Sequence, residues 1–193
     1  LGLGNSTRCH SIMQHLCDMG MEISVATSGN GLWYFSKQPE VSSLHELNSL
    51  YYGQSSGQIS MLQTVFAAPK MVSTLKTNSR SISKIIANER PAAMITDSVY
   101  NFRPAKLAGV PIIALNNSDL VVHYIGQSKP PWSIRGQYYG VELMDYLFHR
   151  FVPDLVISPS IDPDLPTVHP HFRRVAPIVR KNYKPGSCRK QPE

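Results

Sequence analysis

The chain begins with Leu1-Gly-Leu-Gly-Asn-Ser-Thr-Arg8, and this stretch leads directly into a segment whose apolar residues recur at helical spacing. Glycines ahead of a helix let the backbone turn tightly and approach a ligand closely. Ser6 or Thr7 is suited to cap the helix, whose N-terminal N–H groups attract anions or a developing oxyanion. A strand normally leads into such a turn, so we expect the first strand of the fold to be truncated in this chain.

Helix-like and strand-like segments alternate along the rest of the chain. We predict strands over residues 22–27, 91–97, 111–115, 154–158 and 175–179. We predict helices over 9–20, over 62–86 with a kink or break at Pro69, over 102–108 and over 137–150. Residues 28–60 are expected to form a long loop or small subdomain, and 126–136 and 159–172 to form loops. The alternation favours an α/β, Rossmann-like parallel sheet with helices on both faces.

Polar residues follow the ends of the predicted strands. They are Ser28, Asp97, Asn116, Asn117, Asp119 and Ser158. Because ligands bind at the carboxyl edge of an open α/β sheet, these side chains are candidates for a binding site.

Composition limits the class of protein and shows where the charge lies. The 193 residues, 42% hydrophobic and 17% charged, fit one globular domain, and no apolar run reaches the roughly 20 residues of a membrane span. Of the 19 basic residues, seven follow position 172, against Glu193 alone among the acids. We therefore divide the chain into a domain over 1–180 and a basic linker or tail over 181–193. Such a tail suits an anionic membrane surface, an acidic partner, nucleic acid or simply solvent.

Four segments in a fixed order resemble a known family. They are Leu3-Gly-Asn-Ser-Thr-Arg8, the strand ending at Asp97, Leu107-Ala-Gly-Val-Pro-Ile-Ile-Ala-Leu-Asn-Asn117, and Arg174-Val-Ala-Pro-Ile-Val-Arg180. Together they resemble the N-terminal half of inverting glycosyltransferases with the GT-B fold. The chain is similar to the undecaprenyl-linked N-acetylglucosaminyltransferase family (glycosyltransferase family 28-like) and its uncharacterised microbial relatives.

The resemblance implies an acceptor-binding half that works with a C-terminal nucleotide-sugar-binding domain or subunit. The reaction would be a single displacement from a UDP-linked sugar to a glycan or lipid-linked acceptor, with the nucleotide sugar as co-substrate and no metal or other cofactor. A base would take the acceptor's proton. The relatives carry His where this chain has Asn5, and an amide is no base near neutral pH. His10, Asp97 and Asp119 are alternatives for that role.

The candidate site residues follow from these segments. Asp97, Asp119 and Asn5 are the catalytic candidates. The substrate-binding candidates are Gly2, Gly4, Ser6, Arg8, Asn116, Asn117 and Tyr52. His169 and His171 have no third ligand near them in the sequence, so we expect no metal site there.

Three other functions compete with this hypothesis. A non-catalytic ligand-binding or scaffold subunit of the same fold, which recruits a catalytic partner, is favoured by Asn5. A nucleic-acid-binding domain rests on the basic tail alone, because the first 172 residues carry no net charge. A nicotinamide-dependent oxidoreductase is disfavoured, because the strand over 22–27 does not end in the acid that would hold a ribose. The three cysteines without metal spacing favour a cytoplasmic location, with a peripheral position at the inner membrane face as one option.

Overall fold

A computed structural model describes residues 3–49, 54–55, 58–59, 68–97, 99–128 and 131–179. It confirms the predicted α/β class, with parallel strands flanked by helices. The strands are β1 (Ser24–Thr27), β2 (Ser43–Glu46), β3 (Gln54–Ser55), β4 (Gln58–Ile59), β5 (Met94–Asp97), β6 (Ile112–Leu115), β7 (Leu155–Pro159) and β8 (Phe172–Val175). The helices are α1 (Leu3–Asp18), α2 (Asn30–Phe35), α3 (Ala68–Glu89), α4 (Arg103–Leu107), α5 (Ser118–Gln127), α6 (Trp132–Gln137), a π-helix (Tyr138–Glu142) and α7 (Leu143–Phe151).

The strands form separate sheets where the sequence predicts a single one. Strands β5, β6, β7 and β8 pair in that order and all run parallel. β1 pairs in parallel with β2, and β3 pairs with β4 as a short antiparallel ribbon. In the part of the chain that the structure describes, no strand bridges β1 to β5. The carboxyl ends of β5 to β8 consequently share one edge, on which all of the polar residues lie except Ser28, which follows β1.

The core lies on one face of the four-stranded sheet. Ile112, Val156 and Phe172 from the strands are each no more than 1% exposed. Helices α3, α4 and α7 cover this face with the buried residues Ile82, Ile86, Ala105 and Tyr146. Because side chains alternate along a strand, Asp97 points to the opposite face, where it meets α1.

Several local predictions are wrong, and each has a physical reason. α1 already begins at Leu3, so Gly4, Ser6 and Thr7 lie inside the helix and neither hydroxyl residue caps it. The segment over 28–60, predicted as a long loop or small subdomain, contains α2, β2, β3 and β4, so the loop alternative is wrong. β2 has only one large apolar residue to signal a strand.

Two differences occur later in the chain. The final strand covers Phe172–Val175 instead of 175–179, because two arginines conceal its apolar pattern. The loop predicted over 126–136 includes the end of α5 and most of α6. The described helix α3 begins at Ala68, with Pro69 as its second residue, where a proline is tolerated. Residues 60–67 lie outside the described residues, so the kink or break expected at Pro69 stays a prediction.

Candidate active site

A polar cleft lies beside the N-terminal turn of α1. Its volume is about 420 Å³, and it is lined by Gly4, Asn5, Thr7, Arg8, Ser11 and Ile178. Three predicted site residues, Gly4, Asn5 and Arg8, therefore meet at one surface. The hydroxyl groups of Thr7 and Ser11 donate to helix carbonyl oxygens at 2.9 Å and 3.0 Å, so they are engaged within α1.

Arg8 supplies the charge of this cleft and ties α1 to the sheet. Its Nε donates to Oδ2 of Asp97 and its Nη2 donates to Oδ1, both at 2.7 Å. The side chain of Asp97 is 1% exposed and that of Arg8 is 27% exposed. The hydrogen bonds to Asp97 raise the pKa of Arg8 and outweigh the effect of burial, which lowers it. Nη1 takes no part in these two hydrogen bonds.

This pairing bears on Asp97 as a proposed base. Both of its oxygens accept charge-assisted hydrogen bonds from Arg8, and such bonds are roughly twice as strong as neutral ones. The arrangement suits a carboxylate that orients Arg8 better than one that accepts a substrate proton.

Asp119, the second predicted acid, is completely buried on the core side of the sheet edge. Its Oδ2 accepts from Nη2 of Arg174 at 2.7 Å, and its Oδ1 accepts from Oγ of Ser158 at 2.6 Å. Nη1 of Arg174 also donates to Oγ of Ser158 at 2.5 Å. With exposures of 0% for Asp119 and 4% for Arg174, this cluster is closed to a substrate. Arg174 is therefore not part of a solvated basic tail.

Asn116 contacts the carboxylate of Asp145, which was not among the site residues predicted from the sequence. Nδ2 of Asn116 donates to Oδ2 of Asp145 at 2.8 Å, while its Oδ1 accepts the N–H of Ser118 at 2.7 Å. Oδ1 of Asp145 accepts from the phenol of Tyr100 at 2.8 Å and lies 3.1 Å from Nδ1 of His149. Burial raises the pKa of Asp145, but hydrogen bonds from His149, Asn116 and Tyr100 together lower it below its usual value. Asp145 is therefore ionised at neutral pH.

The other candidates lie away from the cleft or outside the described residues. Ser6 is buried where α1 packs on α2, close enough that a Cβ built on Gly31 would lie 3.5 Å from its Oγ. Asn117 precedes α5 and makes no capping hydrogen bond with its side chain. Gly2 and Tyr52 lie outside the residues that the structure describes, as does the predicted tail over 181–193.

His10, the third alternative base, does not line the cleft. It is 4% exposed, and its Nδ1 lies 2.8 Å from Oη of Tyr34. Its Nε2 lies 3.4 Å from Oε2 of Glu40. These contacts give His10 a place in the packing of α1 against α2.

Neither a metal site nor a membrane span is found in the described ranges. Over those residues, no group of three or more His, Cys, Asp and Glu side chains is placed to hold an ion. The rings of His169 and His171 are 5.7 Å apart without a further ligand of that kind. In the same part of the chain, no helix is both long and apolar enough to cross a bilayer.

These features define an α/β domain whose polar cleft lies at the carboxyl edge of parallel strands, where sheets of this type bind their ligands. The family model described as "Glycosyl transferase family 1" matches residues 1–145. The chain therefore belongs to this glycosyl transferase family.

Comparison with individual proteins adds little to the family assignment. The chain is similar to the crystal structure of Glycyrrhiza uralensis UGT73P12 complexed with glycyrrhetinic acid 3-O-monoglucuronide, with a TM-score of 0.45 and 12% sequence identity. The match covers 83% of this chain and 41% of that one, so this chain spans less than half its length. No curated protein matches the chain significantly.

Proposed function

We propose that this chain is the acceptor-binding half of an inverting GT-B glycosyltransferase, which transfers a sugar from a UDP-linked donor to a glycan or lipid-linked acceptor. The observation that supports this most is the cleft at the N-terminal turn of α1, where Asn5 and Arg8 meet in a member of a glycosyl transferase family. Residues 1–180 would form the acceptor domain, and 181–193 would lead towards a C-terminal domain or subunit that binds the nucleotide sugar.

Arg8 has a defined part in this proposal. Two of its nitrogens are held by Asp97, so the guanidinium is oriented before any ligand arrives. Nη1 and the N–H groups of the first turn of α1 together suit a phosphate-bearing group, as in a lipid-linked acceptor. Binding on the acceptor side would then need no metal.

The proposal also covers location and contacts. A lipid-linked acceptor would require the protein to work in the cytoplasm at the inner face of the membrane. The basic residues of the predicted tail would support contact with anionic lipids there. Sedimentation of the full-length protein with and without vesicles of anionic phospholipid tests this part.

The test is a screen for UDP release by the full-length protein with a panel of UDP-sugars, with and without glycan and polyprenyl-diphosphate-sugar acceptors. We expect release that depends on an acceptor. Arg8→Lys should reduce it about tenfold or more, since lysine cannot hold Asp97 at two points and still present a nitrogen to the ligand. Arg103→Met, which removes an exposed cation from α4, is the control and should leave the rate unchanged. Absence of release with every donor would refute the proposal.

A second function is favoured by a specific observation. Asp97 and Asp119 are both held by arginines, and Asn5 is no base, so none of the three predicted catalytic residues is placed to accept a proton. A non-catalytic subunit of the same fold, which binds an acceptor and recruits a catalytic partner, accounts for this. Acceptor binding without UDP release, in the presence of any donor, would support this alternative.

A further inference from the structure

The carboxylates at the sheet edge differ in what holds them. Asp97 is paired with Arg8 and Asp119 with Arg174, each with an oxygen-to-nitrogen distance of 2.7 Å. Asp145 is held by a phenol and an amide, with an imidazole nearby, and within the described residues no lysine or arginine is paired with it. A proton added to Asp145 therefore does not have to compete with a permanent cation.

The geometry around Asp145 leaves room for one more donor. A carboxylate oxygen has two lone pairs. Oδ1 accepts from the phenol of Tyr100 and lies 3.1 Å from Nδ1 of His149, which also contacts the main-chain oxygen of Asp145 at 2.9 Å. Oδ2 accepts from Nδ2 of Asn116, and the described residues supply no second donor to it. The side chain is 19% exposed, so the carboxylate is partly open to solvent.

Asp145 also lies on the correct edge of the sheet. Asn116, which holds Oδ2, directly follows β6, and β6 is the neighbour of β5, which ends at Asp97. Adjacent strands are about 4.8 Å apart. At this edge the site around Asp145 is one strand removed from the Arg8–Asp97 pair, with α7 on the core face and α1 on the opposite face, so a ligand that contacts both sites has to cross the edge of the sheet.

We propose that Asp145, positioned by Tyr100, Asn116 and His149, is the carboxylate that takes the proton of the acceptor hydroxyl. This inference rests on the proposed function. The acceptor O–H bond breaks and its proton moves to Oδ2 of Asp145. The acceptor oxygen forms a bond to the anomeric carbon, and the bond from that carbon to the nucleoside diphosphate breaks, with its electron pair leaving on the diphosphate. Asp145 supplies in this way the base that Asn5 cannot provide.

The test uses the full-length protein and whichever UDP-sugar the donor screen identifies. Asp145→Asn should lower kcat about 100-fold or more, the usual size of a general-base contribution, with KM changed little. Asp164→Asn, which removes an exposed carboxylate from the loop before β8, is the matched control and should leave kcat unchanged. In Asp145→Ala, added formate should restore part of kcat, which a purely structural role would not permit. His149→Gln should reduce kcat less than Asp145→Asn, because it removes only a positioning contact.

The outcomes separate the inference from the proposed function. Transfer by the wild type with kcat unchanged in Asp145→Asn would overturn the role of Asp145 and leave the proposed function standing. Loss of kcat without rescue by formate, together with a lowered Tm, would assign Asp145 to structure alone and also overturn it. If Asp145→Ala fails to fold, Asp145→Glu serves in its place, with an expected loss of about tenfold from displacement of the carboxylate. Failure of the wild type to release UDP with any donor would overturn both.

Discussion

Removal of Arg174 tests whether Asp119 is structural or catalytic. Arg174→Met deletes a guanidinium that is 4% exposed and leaves the carboxylate of Asp119, which is 0% exposed, without a counter-charge. Breaking a buried ion pair by removing one partner costs about 3–5 kcal/mol. Asp119 lies in the first turn of α5, where the helix dipole returns about 0.3–1 kcal/mol, and Ser158 still donates to it. We therefore expect a loss of about 3 kcal/mol in the free energy of unfolding.

Urea denaturation followed by circular dichroism measures this loss. Arg173→Met is the matched control, because Arg173 is the preceding residue of β8 and is exposed, so its removal should change the free energy by less than about 0.5 kcal/mol. The double variant Asp119→Asn/Arg174→Met buries no charge and should recover more than half of the loss. If Arg174→Met lowers the free energy of unfolding by less than about 1 kcal/mol, Asp119 is not a structural partner of Arg174 and is again a catalytic candidate.

Three further predictions concern packing, pH and cysteine reactivity. Gly31→Ala would bring a Cβ into collision with Oγ1 of Thr27 and should lower the free energy of unfolding, measured in urea, by about 1–3 kcal/mol. Gly126→Ala has open space around it in α5 and should raise the free energy of unfolding by up to about 1 kcal/mol. Equal effects of the two substitutions would contradict this packing. The pKa of Asp145 is lowered in the folded protein, so its ionised form stabilises the fold at pH values above the ordinary carboxyl pKa of 3.8. This stability is lost as the pH falls through the lowered pKa. Between pH 6 and pH 3, Tm should therefore fall further in the wild type than in Asp145→Asn. Burial raises the pKa of Cys9 to about 12, so iodoacetamide at pH 8 should leave it unlabelled in the folded protein, as peptide mass spectrometry can show; labelling as fast as in urea would contradict this.

The sequence predicts the long elements well because their signals are local. The strands around Ile95, Ile113 and Val156 are short apolar runs bounded by turn residues, and the structure places strands at all three. The strand β2 has no such signal, since it is held by its pairing with β1 rather than by an apolar pattern. Arg174 of β8 is buried, and its charge is compensated by Asp119, which is distant in the sequence.

The same distinction applies to the candidate site. Arg8 and Asn5 are found from the sequence because they are adjacent to the glycines of the first turn, and they do line the cleft. The pairing of Arg8 with Asp97 joins residues 89 positions apart, and no spacing rule shows it. Asp145 lies within a helical region and meets Asn116 only after folding, so this contact leaves no trace in the local sequence.

Whether the protein transfers sugar with inversion is tested most directly by the anomeric configuration of its first product, observed by time-resolved proton NMR with the full-length protein. With the donor and acceptor that the UDP-release screen identifies, we expect a new glycosidic linkage of inverted configuration, which Arg8→Lys should form more slowly. A product of retained configuration, or UDP release with only free sugar as its partner, would contradict it.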